Sequence, residues 1–129
     1  MVSDVDLGAM PLVNDYSLCK QMVSIYHHDN GEVTRTVVYP AYFDHKKTEN
    51  LEKTGSQESS EFLLVIPCSE SPVAIGDKVM AGEGPVVDAQ DPMKWWRSFI
   101  PVKHAGLGVV KSVDPKYWNG SMVHVEASG

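Results

Sequence analysis

The feature that most constrains this fold is a dipeptide, Asn30-Gly31, set between "IYHHD" and "EVTRTVVYPAYF". An Asn-Gly pair accepts the positive φ that both central positions of a type I′ turn require. The segment after it is dense in Val, Thr and Tyr, so the dipeptide predicts a β-hairpin with strands at 22–29 and 32–43. Pro40 has no N–H to give a ladder, and the second strand must bend, bulge or lie at an edge there.

The same chemistry returns in "VVKSVDPKYWNGSMVHVEASG", where Asp114-Pro115 and Asn119-Gly120 sit between two runs rich in β-branched residues. That stretch predicts a second hairpin, with Met122, His124 and Glu126 on one face and Val123, Val125 and Ala127 on the other. "EFLLVIP", residues 61–67, is apolar on both faces. It predicts the most buried strand, with Phe62, Leu64, Ile66, Leu63 and Val65 all inside. Further strands are expected at 77–82, after a Gly76-Asp77 turn, and at 108–113 and 121–127. Residues 86–108 read either as one helical turn or as an irregular strand, bracketed by Pro92 and Pro101. Many short strands with closely spaced turns and little helix define the expected class. It is all-β, a small β-barrel or sandwich with a long loop and an extended N-terminal arm. The arm is residues 1–15, where Asp4, Asp6, Asp15, Gly8 and Pro11 leave no helical stripe, and where Leu7, Met10, Leu12 and Val13 are free to dock on a partner. The remainder, 16–129, is one domain, as expected for a chain of 129 residues.

Composition excludes several function classes. The net charge of −6 opposes general affinity for nucleic acid phosphates. No apolar run is long enough to span a membrane. The start of the chain has neither the basic nor the apolar region of a signal peptide, so the protein is expected inside a cell or in something assembled there. Cys19 and Cys68 stand far apart without partners at metal-ligand spacing, so they read as buried thiols. His27-His28 alternate across a strand and cannot both reach one ion, and His45, His104 and His124 add no ligand pattern. "GEGP" at 82–85 lacks the lysine and helix of a phosphate loop. No nucleophile signature places a Ser or Cys beside a histidine and a carboxylate. The chain is therefore expected not to be an enzyme, and to hold neither metal nor cofactor.

Two segments carry the remaining functional expectation. Residues 45–60, "HKKTENLEKTGSQESS", are read as a long mobile loop with Leu51 as the single large apolar residue and a charged set of Lys46, Lys47, Glu49, Glu52, Lys53 and Glu58. Trp95-Trp96 read either as two core residues or, on an extended segment, as a pair that turns one ring inward and the other out. The outward ring, with Arg97 and Phe99, is the candidate contact between subunits.

The order of the short motifs resembles small proteins encoded among the head-morphogenesis genes of tailed bacteriophages and prophages. The matching pieces are Tyr26-His27, Arg35-Thr36-Val37, Phe43, Thr54-Gly55-Ser56 and Leu64-Val65-Ile66-Pro67. They continue through Gly76, Asp77, Val79 and Gly82 to Val110, Ser112, Val113 and Asp114, and close on Gly120, Ser121, His124, Glu126 and Gly129. The segment "MKWWRSFIPVKHAGLG" departs from that pattern. The family is similar to head-completion, or stopper, proteins of long-tailed phages. What the resemblance implies is a homo-oligomeric ring, hexamer or dodecamer, between the portal-bound adaptor and the tail or tail-terminator protein. It would close the DNA exit after packaging and dock the tail. The implied location is the head–tail interface of the virion, with assembly in the host cytoplasm. Viral DNA would pass through the lumen without sequence-specific binding. Six copies at −6 each bring −36 to one ring, which would repel the duplex and let it slide. The 45–60 loop would be the part that projects into the channel or toward a neighbour. The competing readings are a tail-terminator or minor capsid protein, and a monomeric β-barrel that binds an oligonucleotide or peptide.

Overall fold

The computed structural model describes residues 16–50 and 57–129, with side chains at 16–45 and 61–129. Seven strands form one antiparallel sheet: β1 (Gln21–Asp29), β2 (Glu32–Asn50), β3 (Gln57–Pro67), β4 (Lys78–Ala81), β5 (Gly108–Val109), β6 (Ser112–Trp118) and β7 (Ser121–Ser128). A seven-residue helix, α1 (Pro92–Ser98), separates β4 from β5. The sheet order is β5-β4-β1-β2-β3-β7-β6. The all-β expectation holds, but the ladder stays open rather than closing into a barrel. Its two edge strands, β5 and β6, are nevertheless joined by Val110 and Lys111 alone, which forces the sheet to curl. Val110 donates its N–H to Asp77 O on one side, and Lys111 donates to Ser128 O on the other, both at 2.8 Å.

Both Asn-Gly pairs make the turns expected of them. Asn30 and Gly31 have φ of 53° and 84°, and Asn119 and Gly120 have 56° and 82°. Asp114-Pro115, in contrast, lies within β6. Pro115 is tolerated there because β6 is an edge strand, where the missing N–H breaks no ladder bond.

β2 is one strand shared by two halves of the sheet. Its first part pairs with β1 as far as Gln21↔Ala41, and its second part pairs with β3 from Tyr42↔Val65 onward. The transfer happens at the Tyr39-Pro40 cis peptide, where two steps along β1 (Val23 to Gln21) oppose three along β2 (Val38 to Ala41). This is a β-bulge, and it bends the strand where the proline denies it a donor.

The curl encloses a core of Val23, Ile25, Ala41, Phe43, Phe62, Leu64, Ile66, Val73, Val79, Val110, Val125 and Ala127. Alternation places Tyr26 on the opposite face of β1, where it meets Trp96, Phe99 and Leu107 in a second cluster beneath α1. Phe62, Leu64, Val65 and Ile66 are buried, but Leu63 is 39% exposed, so the expected burial of both faces fails at that position. Leu63 pairs with Ser128, the last residue of β7, and at this end of the β3–β7 ladder its side chain is left uncovered.

Candidate assembly surfaces

The segment expected to be a long loop is mostly strand. Pairing of β2 with β3 continues from Lys46↔Glu61 through Lys47↔Ser60, Thr48↔Ser59 and Glu49↔Glu58 to Asn50↔Gln57. Beyond Leu63 no β7 residue flanks β3, and beyond Ala41 no β1 residue flanks β2. These five pairs therefore form a two-stranded ribbon that leaves the body of the sheet and extends for roughly 15 Å at ~3.3 Å per residue. Lys46, Lys47, Glu49 and Glu58 lie on it, while Glu52 and Lys53 lie outside the described residues, as does the 1–15 arm. Periodicity could not reveal the ribbon. Strand pairing here joins backbone to backbone, and a ribbon that covers no core has no apolar alternation.

Antiparallel order fixes the polarity of the molecule. β1 and β6 run toward the Asn30-Gly31 and Asn119-Gly120 turns, whereas β2 runs away from them toward the ribbon. The ribbon leaves one end of the sheet and both tight turns cap the other.

Trp95 and Trp96 stand on α1, not on an extended segment, so their side chains diverge by about 100° rather than 180°. Asp91 caps the helix by accepting Lys94 N–H at 3.2 Å, and Pro92 takes the first helical position, where no N–H is needed. Trp96 and Phe99 are buried within their own chain, and Trp95 stacks on Phe99 with centroids 4.5 Å apart. As a contact between subunits the set is reduced to Arg97, which is exposed, and the uncovered part of Trp95. The helix is held by a buried lysine. Lys78 Nζ donates to Trp96 O and Phe99 O, each at 2.7 Å, and lies 4.1 Å from the centre of the Trp96 ring. Burial lowers its pKa below the usual lysine value.

The motif residues meet in space. His27 Nδ1–H donates to Asp77 Oδ1 at 2.6 Å, and Asp77 Oδ2 accepts Ala74 N–H at 2.9 Å, so the Tyr26-His27 and Gly76-Asp77 pieces form one clasp. Tyr26 OH donates to Pro85 O at 2.7 Å. Ser24 Oγ donates to Gly82 O at 2.6 Å and accepts Gly84 N–H at 2.8 Å. The "GEGP" turn is thus bound to β1 by two side chains. Gly84 is required because a Cβ there would overlap the Tyr26 hydroxyl. His28 turns to the other face and packs on Trp96, with centroids 4.8 Å apart.

On β7, the face holding His124 and Glu126 is covered by the start of the described chain. The Tyr16 hydroxyl lies 2.9 Å from His124 Nδ1, and His124 Nε2 lies 3.0 Å from Glu126 Oε2. A carboxylate only accepts, so Nε2 carries the proton and Nδ1 accepts from Tyr16. Burial, then the neighbouring Cys19, Cys68 and Glu126, raise the pKa of the tyrosine hydroxyl and keep it a donor. Burial also raises both thiols, and both cysteines are free. His124 is fully buried yet satisfied at both nitrogens, which makes it a latch that fastens the entry of the N-terminal segment to the sheet.

Among the described residues no group of three His, Cys, Asp or Glu side chains could hold a metal ion, and no helix is long and apolar enough to cross a membrane. Two shallow grooves, of about 280 Å3 beside Val33, Val87 and Pro92 and about 270 Å3 beside Asp44 and Leu63, fall below the ~300–1,000 Å3 of ordinary small-molecule sites. Three described aromatic residues are exposed elsewhere: Tyr39, 67% exposed, at the cis peptide of β2, and Tyr117 and Trp118, 61% and 50% exposed, at the tip of the β6–β7 hairpin. Sequence reading missed this tip, although the Asn119-Gly120 turn alone places Trp118 at a hairpin end. Comparison with protein-family models, with curated proteins and with solved structures finds no match to this chain.

Proposed function

We propose that this chain is a structural virion protein of a tailed bacteriophage, forming the head-closure ring of the head–tail connector. The ring retains packaged DNA and docks the tail, with the portal-bound adaptor on one side and the tail or tail-terminator protein on the other. The β2–β3 ribbon carries this reading. A compact all-β body supplies a wall element, and a charged two-stranded arm leaves one end of it with no further strand beside it among the described residues. An isolated two-stranded ribbon is at best marginally stable in water, so such an arm gains most from a neighbour. The order of motifs gives further support, since pieces far apart in sequence serve one fold, as in the His27–Asp77 clasp. The acidic balance suits a lumen through which DNA must slide.

Electron microscopy of the purified chain, alone and with portal-containing particles, tests the proposal. Closed rings, or density added at the portal vertex of such particles, are the expected result. A chain that stays monomeric and leaves the portal vertex unchanged would exclude the head-closure role.

A further inference from the structure

We infer that the segment preceding Tyr16 folds back as an added strand on an unpaired edge of β2, with Asp4-Val5-Asp6-Leu7 alongside residues 33–39 and an aspartate carboxylate on Arg35. The edge is open because β2 takes β3 as a neighbour only from Tyr42 onward. Residues 33–39 have β1 on one side and, among the described residues, no strand on the other. The two-residue Asn30-Gly31 turn makes Asp29↔Glu32 a hydrogen-bonded pair, and alternation gives the same role to Thr34, Thr36 and Val38. The N–H and C=O groups of Val33, Arg35 and Val37 therefore point away from β1. No proline interrupts this edge before Pro40, whereas β6, at the margin of the sheet, carries Pro115. An unpaired row of Val and Thr is a template for strand addition.

Arg35 decides what kind of strand fits. Its side chain bonds the Tyr26 hydroxyl, yet its Nε is buried without an acceptor, and no described carboxylate pairs with it. A buried donor is ordinarily satisfied, and Nε with the adjacent Nη forms the fork that takes a carboxylate. Residues 1–15 hold three aspartates and no lysine or arginine. On a strand, Asp4 and Asp6 share one face and Val5 and Leu7 the other. With the aspartates on the Arg35 side, Val5 and Leu7 fall on the side of Val38, which packs against the core and is only partly covered. Gly8 and Pro11 then end the strand. The chain can make this return. β1 begins with Gln21 opposite Ala41, next to this edge, and five residues earlier Tyr16 is fastened to His124. The nine residues between Asp6 and Tyr16 reach ~30 Å when extended, more than the ~23 Å length of the edge. The contact lies within one chain and is independent of the ring reading.

Amide hydrogen exchange followed by NMR tests this residue by residue. In the full chain the outward amides of Val33, Arg35 and Val37 should exchange slowly, as the inward amides of Thr34 and Thr36 do, at rates independent of protein concentration. Deleting residues 1–14 should speed the outward three by about tenfold or more. Asp4→Asn with Asp6→Asn keeps the full chain and removes only the charge, and should speed exchange at Arg35 several-fold. Fast exchange of the outward three in the wild type would overturn the inference. Slow exchange that survives both the deletion and the double substitution would overturn it as well. Protection lost in the deletion and kept in the double substitution would uphold the added strand and overturn the carboxylate contact. Protection that appears only at high concentration would give the edge to a second copy and overturn the contact within one chain. None of these outcomes bears on ring formation, which the portal-particle experiment reads separately.

Discussion

Replacing residues 48–59 with Asn-Gly should separate folding from assembly. The described pairs removed are Thr48↔Ser59, Glu49↔Glu58 and Asn50↔Gln57. At ~0.2–1 kcal/mol per cross-strand pair they contribute roughly 0.6–3 kcal/mol. Shortening the connection from the six residues between Asn50 and Gln57 to two returns about 1 kcal/mol of loop-closure entropy. The net loss is then at most ~2 kcal/mol, a fall in Tm of no more than about 8 °C for a domain of this size. The core residues described above all lie outside the replaced segment. Calorimetry should show one cooperative transition close to that of the wild type, while rings or portal-bound density should be lost. A loss of cooperativity, or destabilisation beyond about 4 kcal/mol, would mean that the ribbon belongs to the folding core. Unaltered assembly would mean that it is neither gate nor docking element.

Other substitutions probe the body. Leu64→Ala, at a fully buried core position, should cost about 2–5 kcal/mol in chemical denaturation, and Leu63→Ala on the uncovered face less than about 1 kcal/mol. Tyr16→Phe leaves the buried His124 Nδ1 without its donor and should cost about 1–3 kcal/mol, read as a shift in the denaturation midpoint. Gly84→Ala forces a methyl group against the Tyr26 hydroxyl and should destabilise by about 1–3 kcal/mol, with Tyr26→Phe relieving part of it. Lys78→Met leaves Trp96 O and Phe99 O unpaired, and its effect should depend on pH. Burial holds the folded pKa of Lys78 below the usual lysine value of 10.5, so between the two the unfolded chain binds more protons and wild-type stability gains with pH relative to the variant. The cost of Lys78→Met should therefore be larger at about pH 10 than at pH 7, and a cost that shrinks would contradict a buried amine satisfied by two carbonyls.

How much of this was legible in the sequence follows from what each feature depends on. The Asn-Gly turns and "EFLLVIP" are local signals, and the strands they imply are present within a few residues. Pro40 announced an irregularity, and the bulge is there because a missing donor must be accommodated wherever the chain folds. The ribbon was hidden because it is polar. Helix α1 is too short to show a periodicity, although Asp91-Pro92 does carry a start signal in its cap and first-turn proline. Reading Trp95-Trp96 as extended followed from missing that start, and with it the burial of Trp96 and Phe99. The Tyr16–His124–Glu126 latch joins residues more than a hundred positions apart, which no local pattern reports.

The measurement that bears most directly on the head-closure role is DNA retention in particles assembled without this protein. Under the head-closure proposal, phage particles lacking it should fill their heads and then lose DNA, or remain tailless, when examined by cryo-electron microscopy and nuclease sensitivity. Adding back the purified chain should restore nuclease-resistant, tail-competent heads. Particles that stay full, tailed and infectious without it would contradict the role outright.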